Sequence, residues 1–292
     1  MKKILFLVLL TLSFQVTAND LVLLSPFPTG GPTDRILRVV SQQLKNKNIN
    51  NVIEYKPGAG GVIAANYLAR TQSNILMLPG LSLFTASHFK NAEVQYNIGN
   101  DFKLVHFVGI EPTVLVVKKT SNIEYTDILT KPLTAATPGL GTTSHIATLI
   151  LKDKNKGTVV VPFKGENELI SNILGGHVTW GIVSQYGATQ YIETGMLKPI
   201  LTWTPERAIS GVPTARELGV NDKNFFRAHI LITNNYFDKR LLDEVKDVLK
   251  STAFEKEIKN IGIHTTKVNE KEFLKLEQEK ISAMFKDLTI NE

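Results

Sequence analysis

The stretch "PFPTGGPTDRI" (residues 26–36) follows the apolar run Leu21–Leu24 and precedes a segment with helical spacing. The helical segment carries one apolar stripe at i, i+4 spacing, formed by Ile36, Leu37, Val40 and Leu44. Pro32 is a favoured first residue of a helix, and Thr33 and Asp34 would lie in its first turn. The sequence here therefore predicts a strand, a turn rich in glycine and proline, and a helix.

Two further stretches repeat this design, "EYKPGAGGVIAA" (54–65) and "ATPGLGTTSHIATLIL" (136–151). In each of the three, backbone N–H groups at a helix start face the space beyond a strand end, where the positive end of the helix dipole favours an anion. Ligands of open α/β sheets bind at this edge. The alternative, that the glycines only permit tight turns, stays open for any one turn. Three such turns at strand ends favour an anion site.

Short apolar runs alternate with helical patterns along the chain, which is typical of an α/β fold with parallel sheets and crossover helices. The predicted strands are Leu21–Leu24, Val52–Tyr55, Ile75–Leu78, Val114–Val117, Val159–Val161, Thr179–Val183 and Ile200–Thr202. A second helical stripe comprises Leu169, Ile170, Ile173 and Leu174.

The order of these segments predicts two lobes with a ligand cleft between them. The polar segment "KKTSNIEYTD" (118–127) is interpreted as a crossing into a second lobe, and the apolar run "FFRAHILITNN" (225–235) as a strand after that lobe, followed by helices. We therefore expect residues 19–118 plus 225–292 to form lobe 1 and residues 119–224 to form lobe 2.

The first residues resemble a secretory signal peptide. Met1, Lys2 and Lys3 form a short basic start, the run from Ile4 to Phe14 is almost wholly apolar, and Val16-Thr17-Ala18 fits a small-residue cleavage site. The alternative is a transmembrane anchor, but the run is shorter than the roughly 20 residues that span a bilayer. We expect cleavage after Ala18 and a periplasmic protein.

Composition narrows the possible partners. The 292 residues include no cysteine, which excludes disulfides and cysteine-ligated metals. Removal of residues 1–18 takes away Lys2 and Lys3 and no acidic residue, so the formal charge falls from +6 to +4. The lysines are scattered, which argues against nucleic-acid binding, whereas the mild positive charge favours a small anionic ligand.

Motifs for nucleotide binding and catalysis are missing. "GAGGVI" has Ile63 where a dinucleotide fingerprint needs glycine, and no turn continues as Gly-Lys-Ser/Thr. The sequence has no G-x-S-x-G elbow and no histidine pair at zinc-binding spacing. His145 is interpreted as a packed or capping residue, Asp34 as a partner of its own helix start, and Thr214 with Glu217 as a capping box. We expect no catalysis, no cofactor and no metal.

Six segments together resemble the solute receptors of tripartite tricarboxylate transporters, also called the Bug family. They match in order and spacing over nearly the whole mature chain: "PFPTGGPTDRILR", "KPGAGGVIAANYLA", "YNIGNDFKLV", "PGLGTTSHIATLIL", "VPFKGENELISNILGGHV" and "GVPTARELGV". The resemblance implies a two-domain periplasmic binding protein of type II-like, Venus flytrap architecture. It also implies a small organic carboxylate ligand and delivery to a large and a small membrane subunit, and we expect a monomer.

The resemblance implies that backbone N–H groups and water at the two lobes' turns hold the carboxylate. Carried onto this sequence, it selects Phe27, Gly30, Gly31, Asp34, Gly141, Thr142, Thr143, Ser144, His145, Lys164 and Gly165. Four residues at strand ends are expected to select the distal half of the ligand, namely Gly80, Ser82, Ser184 and Gln185.

The sequence departs from the family pattern at several positions, including Thr29, Tyr55, His177 and Thr179. These departures bear on the identity of the carboxylate more than on the fold. The leading hypothesis is a receptor that holds an anion without transforming it. The alternatives are a secreted α/β hydrolase-like enzyme and a periplasmic ligand sensor.

If residues 1–18 are a cleaved signal peptide, the mature protein in its native host begins at Asn19. Intact-mass measurement or amino-terminal sequencing of the exported protein checks this. Recovery of material that still carries Met1 or Lys2 would contradict export by this route.

Overall fold

A computed structural model describes residues 21–89, 92–204, 206–220, 227–265, 268–270 and 272–287. Within them the chain forms two five-stranded mixed sheets. The first sheet contains β1 (Leu21–Ser25), β2 (Asn51–Tyr55), β3 (Ile75–Met77), β4 (Lys103–Glu111) and β10 (Arg227–Thr233), in the order β2-β1-β3-β10-β4. The second contains β5 (Thr113–Lys118), β6 (Thr134–Thr137), β7 (Val159–Pro162), β8 (Trp180–Ser184) and β9 (Leu197–Trp203), in the order β7-β6-β8-β5-β9.

Helices connect and cover the strands. They are α1 (Pro32–Lys45), α2 (Val62–Arg70), α3 (Ser82–Thr85), α4 (Ile98–Asp101), α5 (Tyr125–Thr130), α6 (Thr143–Lys154), α7 (Glu166–Gly175), α8 (Gln185–Glu193), α9 (Lys239–Leu249), α10 (Thr252–Asn260) and α11 (Phe273–Asp287). No helix in the described ranges is long and apolar enough to cross a membrane. The expected signal peptide, residues 1–18, lies outside these ranges.

Both sheets have the same local topology at their centre. β1 pairs in parallel with β2 on one side and β3 on the other, and β6 pairs in parallel with β7 and β8. After β1 the chain forms β2 on one side of it and then β3 on the other side. After β6 it likewise forms β7 on one side and then β8 on the other. Parallel sheets bind ligands beyond the carboxyl end of such a central strand. The stretch 26–31 and the turn 138–142 occupy these two positions.

Eight predicted strands are present, including β10 within the run 225–235, and two strands were missed. β4 carries Lys103 and His106 among its apolar residues, and β6 consists only of threonine and alanine, so neither has a strong strand pattern. Their strand conformation comes from pairing. β4 pairs along its length with β10, and β6 lies between β7 and β8.

The first crossing between the sheets lies at Pro112, which separates β4 in the first sheet from β5 in the second. The expected boundary after Lys118 is therefore one strand too late. The polar segment 118–127 lies on the second lobe, where Lys119 N–H donates to Met196 and Lys198 pairs with Glu124. Its polarity reflects solvent exposure and not a crossing.

The return crossing lies between Val220, which contacts the second sheet through Ala215, and Arg227 in β10. The expected boundary between residues 224 and 225 falls outside the described residues. The predicted capping box before the crossing is confirmed, because Thr214 N–H donates to Glu217 Oε2 (2.8 Å) and Glu217 N–H donates to Thr214 Oγ1 (3.2 Å).

The buried apolar residues form three clusters. One lies in the first lobe, one lies in the second, and the third contains residues of both lobes. On one face of the first sheet, α1 packs against α9 and α10 through residues such as Leu37 and Phe254. Leu169 and Ile173 of α7 pack on one face of the second sheet. A third cluster contains Leu24 and Phe84 of the first lobe together with Ile146 and other residues of the second.

Gly109 lies at a bulge in the pairing of β4 with β10 and has a φ of +150°. A Cβ at this position would lie 2.6 Å from the carbonyl oxygen of His264. We expect Gly109→Ala to lower the free energy of unfolding by more than about 1 kcal/mol, because strain from the positive φ adds to a clash with backbone. Urea unfolding measures this.

Gly99→Ala is the control, since a Cβ there has only an ordinary contact, 3.6 Å from Asn97 Oδ1. Equal stability of the two variants would contradict the described geometry at the bulge.

Candidate ligand-binding site

A cavity of about 380 Å³ lies between the two lobes, at the carboxyl ends of β1 and β6. Its volume falls in the range of small-molecule sites. It is lined by Phe27, Pro28, Thr29, Gly31, Pro32, Thr33, Pro79, Gly80, Leu81, Pro138, Thr142, Thr143, Lys164, Gly165, Glu166, Asn167, Glu168, Arg227, Ala228 and His229.

The first wall is the start of α1. Gly31 is the N-cap residue in an extended conformation, and no side chain caps this helix start. Pro32 has no N–H, so the N–H groups of Thr33 and Asp34 are the first donors of the helix without an intrahelical acceptor. The start of a 14-residue helix therefore faces the cavity with unused donors and the positive end of its dipole.

Asp34 holds this turn from behind. Its carboxylate accepts hydrogen bonds from Gly30 N–H (2.8 Å), Tyr55 Oη (2.5 Å) and Arg38 Nε (2.9 Å). Burial alone would raise the pKa of Asp34, but the bonds from Tyr55, Arg38 and Gly30 outweigh it and lower the pKa below its ordinary value. Asp34 is thus an ionised support of the turn, as its local interpretation predicts, and the structure places neither it nor Gly30 in the cavity wall.

The second wall is the start of α6, and local bonds fix its turn. The N-cap Thr142 accepts from His145 N–H (3.2 Å) and donates to the carbonyl of Gly139 (2.9 Å). His145 is buried, and its Nδ1 accepts from Gly141 N–H (3.0 Å). The interpretation of His145 as a packed or capping residue is confirmed. Thr142 and Thr143 remain as the residues of this turn that line the cavity.

Gly141 and Ser82 lie where the lobes touch beside the cavity. Thr85 Oγ1 donates across the lobes to the carbonyl oxygen of Gly141 (2.6 Å), and Ser82 donates to the carbonyl of Gly60. A Cβ on Gly141 would lie 2.5 Å from Thr85 Oγ1, and one on Gly60 would overlap the carbonyl oxygen of Leu140. These glycines permit the close approach of the two lobes.

The third wall is the start of α7. Gly165 is its N-cap, and a Cβ there would lie 3.3 Å from Pro28 of the first lobe. Asn167 Nδ2 lies 3.5 Å from the carbonyl oxygen of Thr29. Lys164 lines the cavity with an exposed side chain. The stretch 26–36 therefore meets the second lobe at this wall.

A buried network of charges joins the lobes at the cavity. Arg227 Nη1 of the first lobe lies 2.9 Å from Glu166 Oε2 of the second and 3.9 Å from Glu111 Oε2. Arg35 donates to Glu111 Oε1 (2.8 Å), and His229 Nε2 lies 3.1 Å from Glu111 Oε2. The two arginines thus balance the two glutamates, one of which lies in each lobe.

The network keeps Glu111 ionised and His229 neutral. Burial alone would raise the pKa of Glu111, but the hydrogen bond with His229 and the charges of Arg227 and Arg35 outweigh it and lower the pKa. Burial is also the main reason why the pKa of His229 falls below its ordinary value, although Glu111 opposes that shift. His229 therefore adds no charge to the cavity near neutral pH.

Ser144, Ser184 and Gln185 support the network and the crossing. Ser184 donates through Oγ (2.5 Å) and N–H (2.9 Å) to Glu166, and Ser144 Oγ accepts from Arg227 Nη2 (3.3 Å). Gln185 N–H donates to the carbonyl of Pro112 (2.9 Å).

The predicted site residues therefore divide into two groups. Seven line the cavity, namely Phe27, Gly31, Gly80, Thr142, Thr143, Lys164 and Gly165. The other eight lie outside the wall, in the supporting positions described above: Gly30, Asp34, Ser82, Gly141, Ser144, His145, Ser184 and Gln185.

Sequence reasoning missed Arg227, His229 and Glu166. The segment "RAHILIT" has the pattern of an apolar strand, yet Arg227 and His229 are two residues apart and share one face of it. Two basic side chains on one face of an otherwise apolar strand were the available signal. Glu166 gave no such signal. An acidic residue at the start of a helix is already explained by its favourable interaction with the helix dipole.

Comparison with known proteins identifies the family. The sequence profile of the tripartite tricarboxylate transporter family receptor matches residues 36–288. The chain belongs to this family. The resemblance noted in the sequence is thereby confirmed, and the family is one of transporter receptors.

Two curated relatives match this chain at low sequence identity. Protein BugT of Bordetella pertussis is 26% identical over 69% of this chain and 66% of its own length. The UPF0065 protein in the tcbD-tcbE intergenic region of Pseudomonas sp. strain P51 is 28% identical over 66% of this chain and 61% of its own length. The receptor thus spans less than two thirds of the length of these relatives.

Solved structures confirm the expected fold class, a two-lobed α/β periplasmic binding protein. R. palustris Rpa4515 with adipate has a TM-score of 0.81 at 20% identity and covers 94% of the receptor and 97% of that chain. The periplasmic binding protein BugD has a TM-score of 0.80 at 22% identity, with 92% and 97% covered. MatC from Rhodopseudomonas palustris with bound malate has a TM-score of 0.80 at 22% identity, with 94% and 99% covered.

We expect Arg227→Gln to lower the free energy of unfolding by about 3–5 kcal/mol, because it leaves Glu111 and Glu166 buried without their shared cation. Arg207→Gln is the matched control. Arg207 pairs with Glu217, and both side chains are about half exposed (53% and 42%), so its loss should cost less than about 1 kcal/mol. Urea unfolding compares the two variants, and similar losses would contradict a structural role for the inter-lobe network.

Proposed function

We propose that this chain captures a small organic carboxylate in the periplasm and delivers it to the large and small membrane subunits of a tripartite tricarboxylate transporter. The observation that carries the proposal is the convergence of the starts of α1 and α6, one from each lobe, on one cavity of about 380 Å³.

Two helix starts suit a carboxylate better than a neutral ligand. Thr33 of α1 and Thr143 of α6 line the cavity, and the N–H group of each belongs to a first turn without intrahelical acceptors. Hydrogen bonds to a charged acceptor contribute roughly 1.5–3 kcal/mol each. A few of them account for the roughly 8 kcal/mol of micromolar binding. No proton transfer or covalent step is needed for this role.

The relatives agree with a carboxylate ligand. Rpa4515 was solved with adipate and MatC with malate, both small carboxylates. Their folds superpose on nearly the whole of this chain. Small-molecule sites lie preferentially at domain interfaces, and the cavity between these two lobes has such a position.

We further propose that the lobes close on the ligand. Of the described residues, those within 21–111 and 227–287 form the first lobe, and those within 113–220 form the second. In the part of the chain that the structure describes, two crossings join them, at Pro112 and between Val220 and Arg227. Rotation about such crossings is the usual hinge motion of two-lobed receptors. In the described arrangement, contacts at Pro28 and at Gly141 bring the lobes together on two sides of the cavity.

The proposed receptor works as an exported monomer. Each lobe supplies one of the two helix starts, so a single chain contains the whole cavity. We infer export from the basic and apolar start of the sequence. An exported protein is located where a membrane transporter can receive the ligand.

Gly31→Val tests the cavity directly. A Cβ at Gly31 has no neighbour closer than 3.9 Å, and φ is −83°, so the fold accepts a side chain there. Because Gly31 lines the cavity beside the α1 donors, the valine takes up space needed by the ligand. We expect affinity to fall at least about a hundredfold, or about 2.8 kcal/mol, with little change in stability.

Adipate, malate, hexanoate and benzoate are first tested by calorimetry for binding to the unaltered chain. The affinity of the Gly31→Val variant is then measured with whichever acid binds. Gly99→Val, in α4 and outside the cavity wall, is the control. Normal binding by a folded Gly31→Val variant would argue against this cavity as the carboxylate site.

A further inference from the structure

The charges in the cavity wall bear on how many carboxylates a ligand can carry. The described lining contains two cations, Lys164 and Arg227, and two acids, Glu166 and Glu168. If the proposed function holds, the number of carboxylates that the ligand can carry depends on which of these charges is available to it.

Arg227 is already occupied by the protein. Glu166 lies 2.9 Å from its Nη1, Glu111 lies 3.9 Å from the same atom, and Ser144 accepts from Nη2 at 3.3 Å. Only 3% of the Glu166 side chain is exposed. A ligand carboxylate that took Arg227 from Glu166 would leave a buried carboxylate without its cation, which is strongly unfavourable.

Lys164 gives weaker support to a second carboxylate. Its side chain is exposed, so water and salt screen its charge. Its own N–H donates to Glu168 (2.9 Å), which keeps that acid beside it in the cavity wall. A second carboxylate near Lys164 would therefore also lie near a carboxylate of the same sign.

The rest of the lining suits an apolar body. Phe27, Pro28, Pro79, Leu81, Pro138 and Ala228 contribute carbon surface from both lobes. The starts of α1, α6 and α7 all line the cavity. The first turn of α7 carries Glu166 and Glu168, whose charges offset its dipole, so the donors that best serve an anion lie at the starts of α1 and α6, one in each lobe. We assign one carboxylate to these two starts, and the apolar part of the wall offers burial rather than charge compensation.

We propose that this receptor selects monocarboxylates, acids with a single carboxylate on an apolar chain or ring, and that Glu166 determines this selectivity. Glu166 does so in two ways. It engages the guanidinium that could otherwise bind a second carboxylate, and it places a negative charge in the wall.

The experiment measures, by calorimetry near neutral pH, the affinities of pairs of acids that share the same chain or ring but differ in the number of carboxylates. The pairs are hexanoate with adipate and benzoate with terephthalate. We expect the monocarboxylate of at least one pair to bind at least about tenfold more tightly than its partner. Tighter or equal binding of the dicarboxylate in every pair that binds would overturn the inference while leaving carboxylate capture intact. If no acid of either pair binds, and none of a wider carboxylate panel does, the proposed function fails and the inference with it.

Glu166→Gln tests the selecting residue. The amide retains an oxygen for Ser184 N–H but lacks the charge that holds Arg227. We expect it to shift the preference between the two acids of a pair toward the dicarboxylate by at least about fivefold. Glu193→Gln, an exposed residue at the end of α8, makes the same change in net charge and should leave the preference unchanged. An unchanged preference in a folded Glu166→Gln variant would remove Glu166 from the selecting role, and the comparison of acids on the unaltered chain stands whether or not the variant folds.

Discussion

The position of Arg227 between Glu111 and Glu166 is the constraint on which the arrangement of the lobes depends. Glu111 ends the last strand before the chain crosses to the second lobe, and Glu166 begins a helix of that lobe. One guanidinium thus fixes the end of one lobe against a helix start of the other. Because these charges are buried, any arrangement of the lobes that leaves one of them without an oppositely charged partner is strongly unfavourable. The walls of the cavity are built around this junction.

Much of the fold could be predicted from local sequence patterns. The stretch 26–36 contains an apolar strand end, glycines at a turn and Pro32 at a helix start, and all three act within a few residues of one another. The same holds for the turn 138–142 and for the capping box of Thr214 with Glu217. Where pairing with distant residues decides the structure, as in β4 and β6, the sequence pattern was too weak to show a strand.

Of the fifteen predicted site residues, seven line the cavity and eight do not. The reason for this division is geometric. Gly31 and Thr142 can be placed at strand ends that face a cleft because the sequence shows that each precedes a helix. This local pattern has a limit. It does not reveal which residues of the same turns face inward. Gly141 contacts Thr85 of the other lobe, and Asp34 binds its own turn. Arg227 is far along the chain from both Glu111 and Glu166, so its role depends on the folded arrangement of three separate segments.

The apolar cluster shared by the lobes has a consequence for their motion. It joins Leu24 and Phe84 of one lobe to Ile146 and Trp180 of the other in continuous contact. A movement that pulled these groups apart would expose carbon surface to water, at a cost that grows with the area exposed. A rotation that keeps them in contact avoids that cost. The hydrophobic effect therefore limits how far the lobes swing and favours a pivot at this shared core, and neither lobe is expected to be a well-behaved soluble fragment when produced alone.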